Sequence, residues 1–150
     1  MKILPHAFLT ALLLCSVLNA EEFCSDHGYC TEYNNINGTL YNIIPLDEYL
    51  EANPKLAETV DFEAITNERI LGYAESQERT GWLTSKISFV CWKEKCNPVG
   101  GEVTTVNEKK FKYIIEADTM DDWEYMVHLM KGDSRVKKVT PVILDEEIRE

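Results

Sequence analysis

Five cysteines, three histidines and 26 acidic residues supply the reactive side chains of this 150-residue chain. His27 follows Ser25 and Asp26 directly, but residues adjacent in sequence rarely converge in space as a catalytic triad requires. His128 has Glu124 one turn earlier on a predicted helix, which favours a surface ion pair over a general base. No nucleophile elbow, zinc-protease motif, phosphate-binding loop or dinucleotide fingerprint follows the N-terminal segment. The motifs therefore identify no catalytic residue.

The carboxylates leave one enzymatic alternative open. An Asp/Glu pair can hydrolyse glycosidic bonds, and a chain with 26 acids always offers such pairs. The acidic runs 118–122 and 145–147 lack the alternating oxygen ligands and the glycine of an EF-hand loop. Compensation of a helix N-terminus and a solvated tail explain them better. We therefore expect no metal ion and no cofactor.

The N-terminus has the layout of a cleaved secretory signal peptide. Lys2 supplies a positive charge, an apolar segment covers 7–18, and the composition changes abruptly at Glu21. The apolar segment is too short to span the ~30 Å of hydrocarbon in a bilayer as a helix. We predict a signal peptide at 1–20 and a single secreted domain at 21–150, with no stable membrane insertion.

Removal of the signal peptide leaves four cysteines, Cys24, Cys30, Cys91 and Cys96. An even number in an exported domain indicates two disulfides, with a four-thiolate zinc site as the alternative. Short spacing favours the pairs Cys24–Cys30 and Cys91–Cys96, which we predict. A bridge between the two halves would close a ~70-residue loop and contribute about 4 kcal/mol, against about 2.4 kcal/mol for a ~7-residue loop. The long-range pairing therefore stays open at this point.

Charge and one sequon narrow the range of partners. The chain carries 15 basic and 26 acidic residues, a formal net charge of -11. Such a surface repels nucleic-acid phosphates and anionic lipid, so neither is an expected partner. Asn37-Gly38-Thr39 is a sequon for N-glycosylation in a polar, turn-like stretch, and Asn37 is the predicted acceptor.

Hydrophobic periodicity predicts the order of the elements. Alternation predicts strands at 39–44, 83–92, 103–106, 111–117 and 136–144. A helical period predicts helices at 46–50, from Asp61 to about Gln77, and at 119–131. The last helix is the best defined, because Thr119 can cap its start and Gly132 can end it.

This order of elements predicts an α+β fold in one domain. An antiparallel sheet with helices on one face, stabilised by disulfides, buries all the apolar stripes. The split βαβ order of a ferredoxin-like sandwich is one arrangement that fits. The helical region before residue 78 is longer than one crossover helix and the strand at 103–106 is additional, so a different α+β arrangement fits as well.

Trp92 is the candidate binding residue. Cys91 lies on the inward face of a predicted strand, so alternation places Trp92 on the opposite face, next to the charged run 93–95. A rigid aromatic side chain in a polar loop is a frequent interface anchor. The alternative is that Trp92 packs under the helical region on the second face of the sheet, which the presence of Val90 on that face favours.

These features together predict a small, secreted, disulfide-containing interaction protein of the effector, toxin or inhibitor type. Its expected partner is an extracellular protein or ligand. A small secreted hydrolase that uses an Asp/Glu pair is the alternative function.

Overall fold

A computed structural model describes residues 35–146 of the chain. The predicted signal peptide at 1–20, together with Cys24, Cys30 and His27, lies outside the described residues. Within residues 35–146 the chain forms eight strands and four helices. None of the helices in this range is long and apolar enough to cross a membrane.

The described chain begins with a tight hairpin. β1 (Asn35–Ile36) and β2 (Thr39–Leu40) pair antiparallel around Asn37 and Gly38, whose φ angles are 53° and 84°. Asn-Gly suits a type I′ turn because both central residues of that turn need a positive φ. The side chain of Ile36 is only 2% exposed and belongs to the main core, so the hairpin is packed onto the domain.

A strand and three short helices follow the hairpin. These elements are β3 (Asn42–Pro45), α1 (Leu46–Ala52), α2 (Pro54–Thr59) and α3 (Phe62–Thr66). The side chain of Asp61 caps α3, accepting the backbone N–H of Ala64 at 3.2 Å. Such caps satisfy donors that the first helical turn leaves unpaired.

The helix predicted from Asp61 to about Gln77 is wrong beyond Thr66. Asn67 adopts the left-handed conformation, with φ 57°, which ends α3, and the chain then forms β4 (Ile70–Glu75). Gly72 is needed in this strand, since a Cβ there would lie 2.4 Å from the backbone oxygen of Ile44 in β3. The apolar residues of this segment therefore serve a strand that lies close against β3.

β5 (Thr80–Cys91) is the central strand of a six-stranded sheet whose pairs are all antiparallel. β8 (Val136–Leu144) lies along one side of β5. On the other side, β4 pairs with the first half of β5 and β7 (Lys112–Glu116) pairs with the second half. β3 and β6 (Val103–Asn107) are the outer neighbours of β4 and β7. The strands predicted after residue 80 are confirmed.

α4 (Met120–Gly132) connects β7 to β8, and β5 lies between these two parallel strands. This is a split βαβ unit of the predicted kind. β5 and β6 are also parallel with β7 between them, but the loop 92–102 connects them in place of a helix. Thr119 caps α4 as predicted, because its Oγ1 accepts the N–H of Asp122 at 3.1 Å.

The sheet has a hydrophobic core on each face. Alternation along β5 sends Trp82 and Leu83 to opposite faces. Leu83 belongs to the main core with α4, whose Trp123 is fully buried. Trp82 belongs to a second core with α1–α3, where the rings of Phe62 and Tyr73 lie 4.6 and 5.3 Å from its own. The α+β class with an antiparallel sheet is confirmed, and the helices divide between the two faces.

Candidate functional site

Trp92 follows directly after β5, and its side chain is exposed. It is 57% accessible, whereas Trp82 and Trp123 are fully buried. The backbone N–H of Trp92 donates to the carbonyl oxygen of Arg135 at 3.0 Å, which ties this residue to the chain just before β8. Trp82, and not Trp92, fills the core beneath α1–α3. The position of Trp92 is therefore fixed by its backbone while its indole faces solvent.

A β-bulge brings Lys137 to the indole of Trp92. While β5 advances by one residue from Val90 to Cys91, its pairing partner in β8 moves back by two residues from Lys138, so Lys137 is extra. A bulge redirects the side chain that it carries. Lys137 Nζ lies 5.4 Å from the centroid of the Trp92 ring. At this distance the ammonium is attracted to the face of the indole.

The disulfide between Cys91 and Cys96 closes the loop that carries Trp92. The two Cα atoms are 6.0 Å apart, and the half-cystines are only 1% and 3% exposed. The residues between them, 92–95, are all exposed, so an exposed loop stands on a buried disulfide. The local pairing predicted for these two cysteines is confirmed. The pairing of Cys24 with Cys30 lies outside the described residues and stays a prediction.

A pocket of about 280 Å³ lies beside the indole. Arg135 borders this pocket and is held by Asp133, to whose two carboxylate oxygens its Nε and Nη2 donate at 3.0 and 2.7 Å. These hydrogen bonds lower the pKa of Asp133 to about 2. The charge of Arg135 is thereby already neutralised. The residues that line the pocket are Trp92, Lys93, Glu94, Ser134 and Arg135.

Two lysines flank Val90 on the face of the sheet that carries Trp92. Val90 pairs with Lys112 of β7 and with Lys138 of β8, so the three side chains form one row across three strands. Both lysines are exposed. α4 packs on the opposite face of the sheet, and α1–α3 pack around the other end of β5. We refer to the surface formed by Val90, Trp92, Lys112, Lys137 and Lys138 as the Trp92 face.

The sequon residue Asn37 is exposed in the turn between β1 and β2. Its Nδ2 donates to the carbonyl oxygen of Val139, and its Oδ1 accepts the N–H of the same residue at 3.3 Å. Among the described strands, β8 pairs only with β5. The Asn37 amide therefore contacts the outer edge of β8 as a neighbouring strand would. Glycosylation of Asn37 stays a prediction.

The carboxylates of the described region are engaged in ion pairs. Glu68 lies 2.9 Å from the ammonium of Lys86, and Asp133 is held ionised by Arg135. A lowered carboxyl pKa is the reverse of what a general acid needs. Within residues 35–146, no group of three or more His, Cys, Asp or Glu side chains is placed to hold a metal ion. The geometry around Asp133 therefore suits ion pairing and not proton transfer.

Sequence reasoning missed the two lysines of the Trp92 face. Lys112 and Lys138 are far apart in sequence, and only the register of β7 and β8 on β5 places them on either side of Val90. Alternation gave a partial signal, because each lysine precedes a residue that points into the main core, Tyr113 or Val139. The alignment of the strands itself has no local signature.

The chemistry of the Trp92 face is that of a binding surface. It offers one exposed indole for apolar contact and three ammonium groups around it for charge pairing. Comparisons of the chain with protein-family models, with curated proteins and with solved structures found no match.

Proposed function

We propose that this chain is a secreted, disulfide-stabilised interaction protein that contacts an extracellular protein through the Trp92 face. One observation carries the proposal: the indole of Trp92 is 57% exposed although its surroundings are fixed. A backbone hydrogen bond to Arg135, the contact with Lys137 and the adjacent disulfide all restrain it. Tryptophan is among the residue types most enriched at the energetic centres of interfaces.

Restraint before binding favours this use of Trp92. A side chain that is already ordered loses little conformational entropy when a partner covers it. Aromatic side chains bury roughly 150–250 Å² each. Because more than half of the Trp92 side chain is accessible, a large part of that apolar area is still available to a partner.

The proposed extracellular location rests on two features. The pattern at 1–20 is that of a signal peptide, which makes 21–150 the proposed mature domain. The Cys91–Cys96 disulfide supports export, since such bonds persist in oxidising compartments. The roles that suit a small secreted binding protein are those of an effector, a toxin-like factor or an inhibitor.

A binding screen tests the proposal. The purified mature protein is presented to a library of secreted proteins and cell-surface ectodomains, and each binder is titrated with the wild type and with two variants. Trp92→Ala is expected to weaken binding about 30-fold, which corresponds to the ~2 kcal/mol of an interface anchor. Leu40→Ala is the matched control, because Leu40 is a 67% exposed apolar residue outside the Trp92 face and its loss is expected to leave binding unchanged.

Two results would contradict the proposal. Binders whose affinity is the same for wild type and Trp92→Ala would show that the interface lies elsewhere. Turnover of a substrate from a hydrolase panel, abolished by one Asp or Glu substitution, would establish instead the secreted hydrolase with an Asp/Glu pair.

A further inference from the structure

The lysines of the Trp92 face are not neutralised by neighbouring carboxylates. Within the described part of the chain, Lys112 and Lys138 have no acidic side chain within ion-pair distance. Lys86, on the same face of β5, differs in this respect, because its Nζ lies 2.9 Å from Glu68. Two unpaired ammonium groups in a chain of net charge -11 form a local positive site in an acidic surface.

The spacing of these groups suits an extended acidic segment. Adjacent strands lie about 4.8 Å apart, so Lys112 and Lys138, on either side of Val90, are separated by roughly 10 Å across the sheet. An extended polypeptide advances about 3.4 Å per residue, and three residues therefore cover that distance. Val90 between the lysines and Trp92 beside them offer apolar contact to the side chains in between.

On this basis, which rests on the proposed function, we propose that the partner of the Trp92 face presents a short acidic segment of polypeptide. Its carboxylates pair with Lys112 and Lys138, and its apolar side chains cover Val90 and Trp92. Arg135 takes no part in the pairing, because Asp133 already holds its guanidinium.

A short segment fits this surface better than a long polyanion. The positive row spans three strands only, and the chain as a whole carries an excess of acids. Charge attraction reaches about one Debye length, ~8 Å at physiological ionic strength. A polysaccharide sulfate or nucleic acid that extends past the row would meet the surrounding negative surface, whereas a few residues of polypeptide would not.

The three tryptophans provide an internal readout for the test. Trp82 and Trp123 are fully buried and Trp92 is exposed, so a soluble quencher acts on Trp92 alone. The mature protein is titrated with a deca-glutamate peptide, with a deca-glutamine peptide of the same length, with sulfated polysaccharide and with anionic vesicles. Protection of Trp92 from acrylamide measures occupancy of the face.

Deca-glutamate is expected to protect Trp92, and deca-glutamine is not. Lys112→Glu and Lys138→Glu are each expected to weaken deca-glutamate binding about fivefold, because charge reversal replaces an attraction by a repulsion. Lys55→Glu in α2 changes the net charge of the protein equally and is exposed, but lies outside the Trp92 face, so its affinity for the peptide is expected to match that of the wild type. Raising the salt concentration is expected to weaken binding of the peptide.

The proposal is overturned if deca-glutamate leaves Trp92 accessible, if Lys55→Glu weakens binding as much as Lys138→Glu, or if sulfated polysaccharide or vesicles bind the face more tightly than the peptide. The proposed function fails separately, since it depends on loss of partner binding in Trp92→Ala. A protein partner that requires Trp92 but tolerates Lys112→Glu and Lys138→Glu would keep the proposed function and remove the acidic segment.

Discussion

Trp82 and Trp92 occupy opposite ends of one strand, and their side chains meet opposite environments. Trp82 is fully buried, and the ring centroids of Tyr49, Phe62 and Tyr73 lie 5.3, 4.6 and 5.3 Å from its own. Trp92 is 57% exposed, and the ring contact recorded for it is with Lys137. The cause is the placement of α1–α3, which pack around the first half of β5 only.

Substitution of these two tryptophans is expected to separate stability from binding. Trp82→Ala removes a fully buried aromatic side chain and is expected to lower the free energy of unfolding by about 3–5 kcal/mol. Trp92→Ala removes a mostly exposed side chain and is expected to cost less than about 1 kcal/mol. Urea denaturation of the two variants and the wild type measures both values. A loss of ~3 kcal/mol in Trp92→Ala would remove Trp92 from the proposed binding surface.

The disulfide next to Trp92 is expected to contribute modestly to stability. It closes a short loop, and the chain-entropy model gives about 2 kcal/mol for the double substitution Cys91→Ala/Cys96→Ala. Denaturant unfolding under non-reducing conditions measures the difference. Peptide mapping is the control: a Cys91 peptide linked to Cys24 or Cys30 in the wild type would contradict the pairing itself.

Gly81 is expected to tolerate no side chain. A Cβ at this position would lie 2.0 Å from the backbone oxygen of Leu144 and 2.9 Å from Cγ2 of Ile143, so β5 and β8 would have to separate. We expect Gly81→Ala to lower the free energy of unfolding by about 2 kcal/mol or more. Gly132→Ala is the matched control, since nothing lies within 4 Å of its Cβ position. Equal melting temperatures for the two variants would contradict the close approach of the strands.

The ion pair beside the pocket predicts a pH dependence. Hydrogen bonds from Arg135 lower the pKa of Asp133 from 3.8 to about 2 in the folded chain. The unfolded chain therefore takes up a proton at a higher pH, and the stabilisation from Asp133, complete above pH 4, is lost as the pH falls from about 4 to 2. NMR titration of the Asp133 carboxyl measures the folded pKa. A midpoint near 4, or an unchanged acid-stability profile in Asp133→Asn, would contradict the pairing.

The elements that the sequence predicts well are those whose signals are local. Thr119 caps α4 at the expected position, and the alternation from Leu83 to Cys91 lies within β5. The segment after Asp61 failed because its apolar spacing suits a helix, while the left-handed conformation of Asn67 ends that helix after one turn. Gly72, which weakened the helical pattern, marks the strand that replaces it.

The candidate site was predictable only in part, for a physical reason. Alternation after Cys91 identifies the face on which Trp92 lies, and composition identifies the charged loop around it. The row of Lys112, Val90 and Lys138 depends on strand register, which long-range pairing sets. The bulge at Lys137 depends on the same pairing, so no local pattern reveals the contact with the indole.

The double contact between Asn37 and Val139 makes the sequon and the sheet edge competitors. Both amide atoms of Asn37 face one backbone residue, so the Nδ2 hydrogen in use lies on the same side as Oδ1. In a trans-substituted amide, the sugar carbon takes that position. A glycan on Asn37 would therefore release Val139 and expose the outer edge of β8, and open edges recruit strands from other molecules. Glycoforms should then exchange the Val139 amide hydrogen faster and self-associate more readily than the unmodified chain; equal exchange would show that the glycan leaves the edge closed.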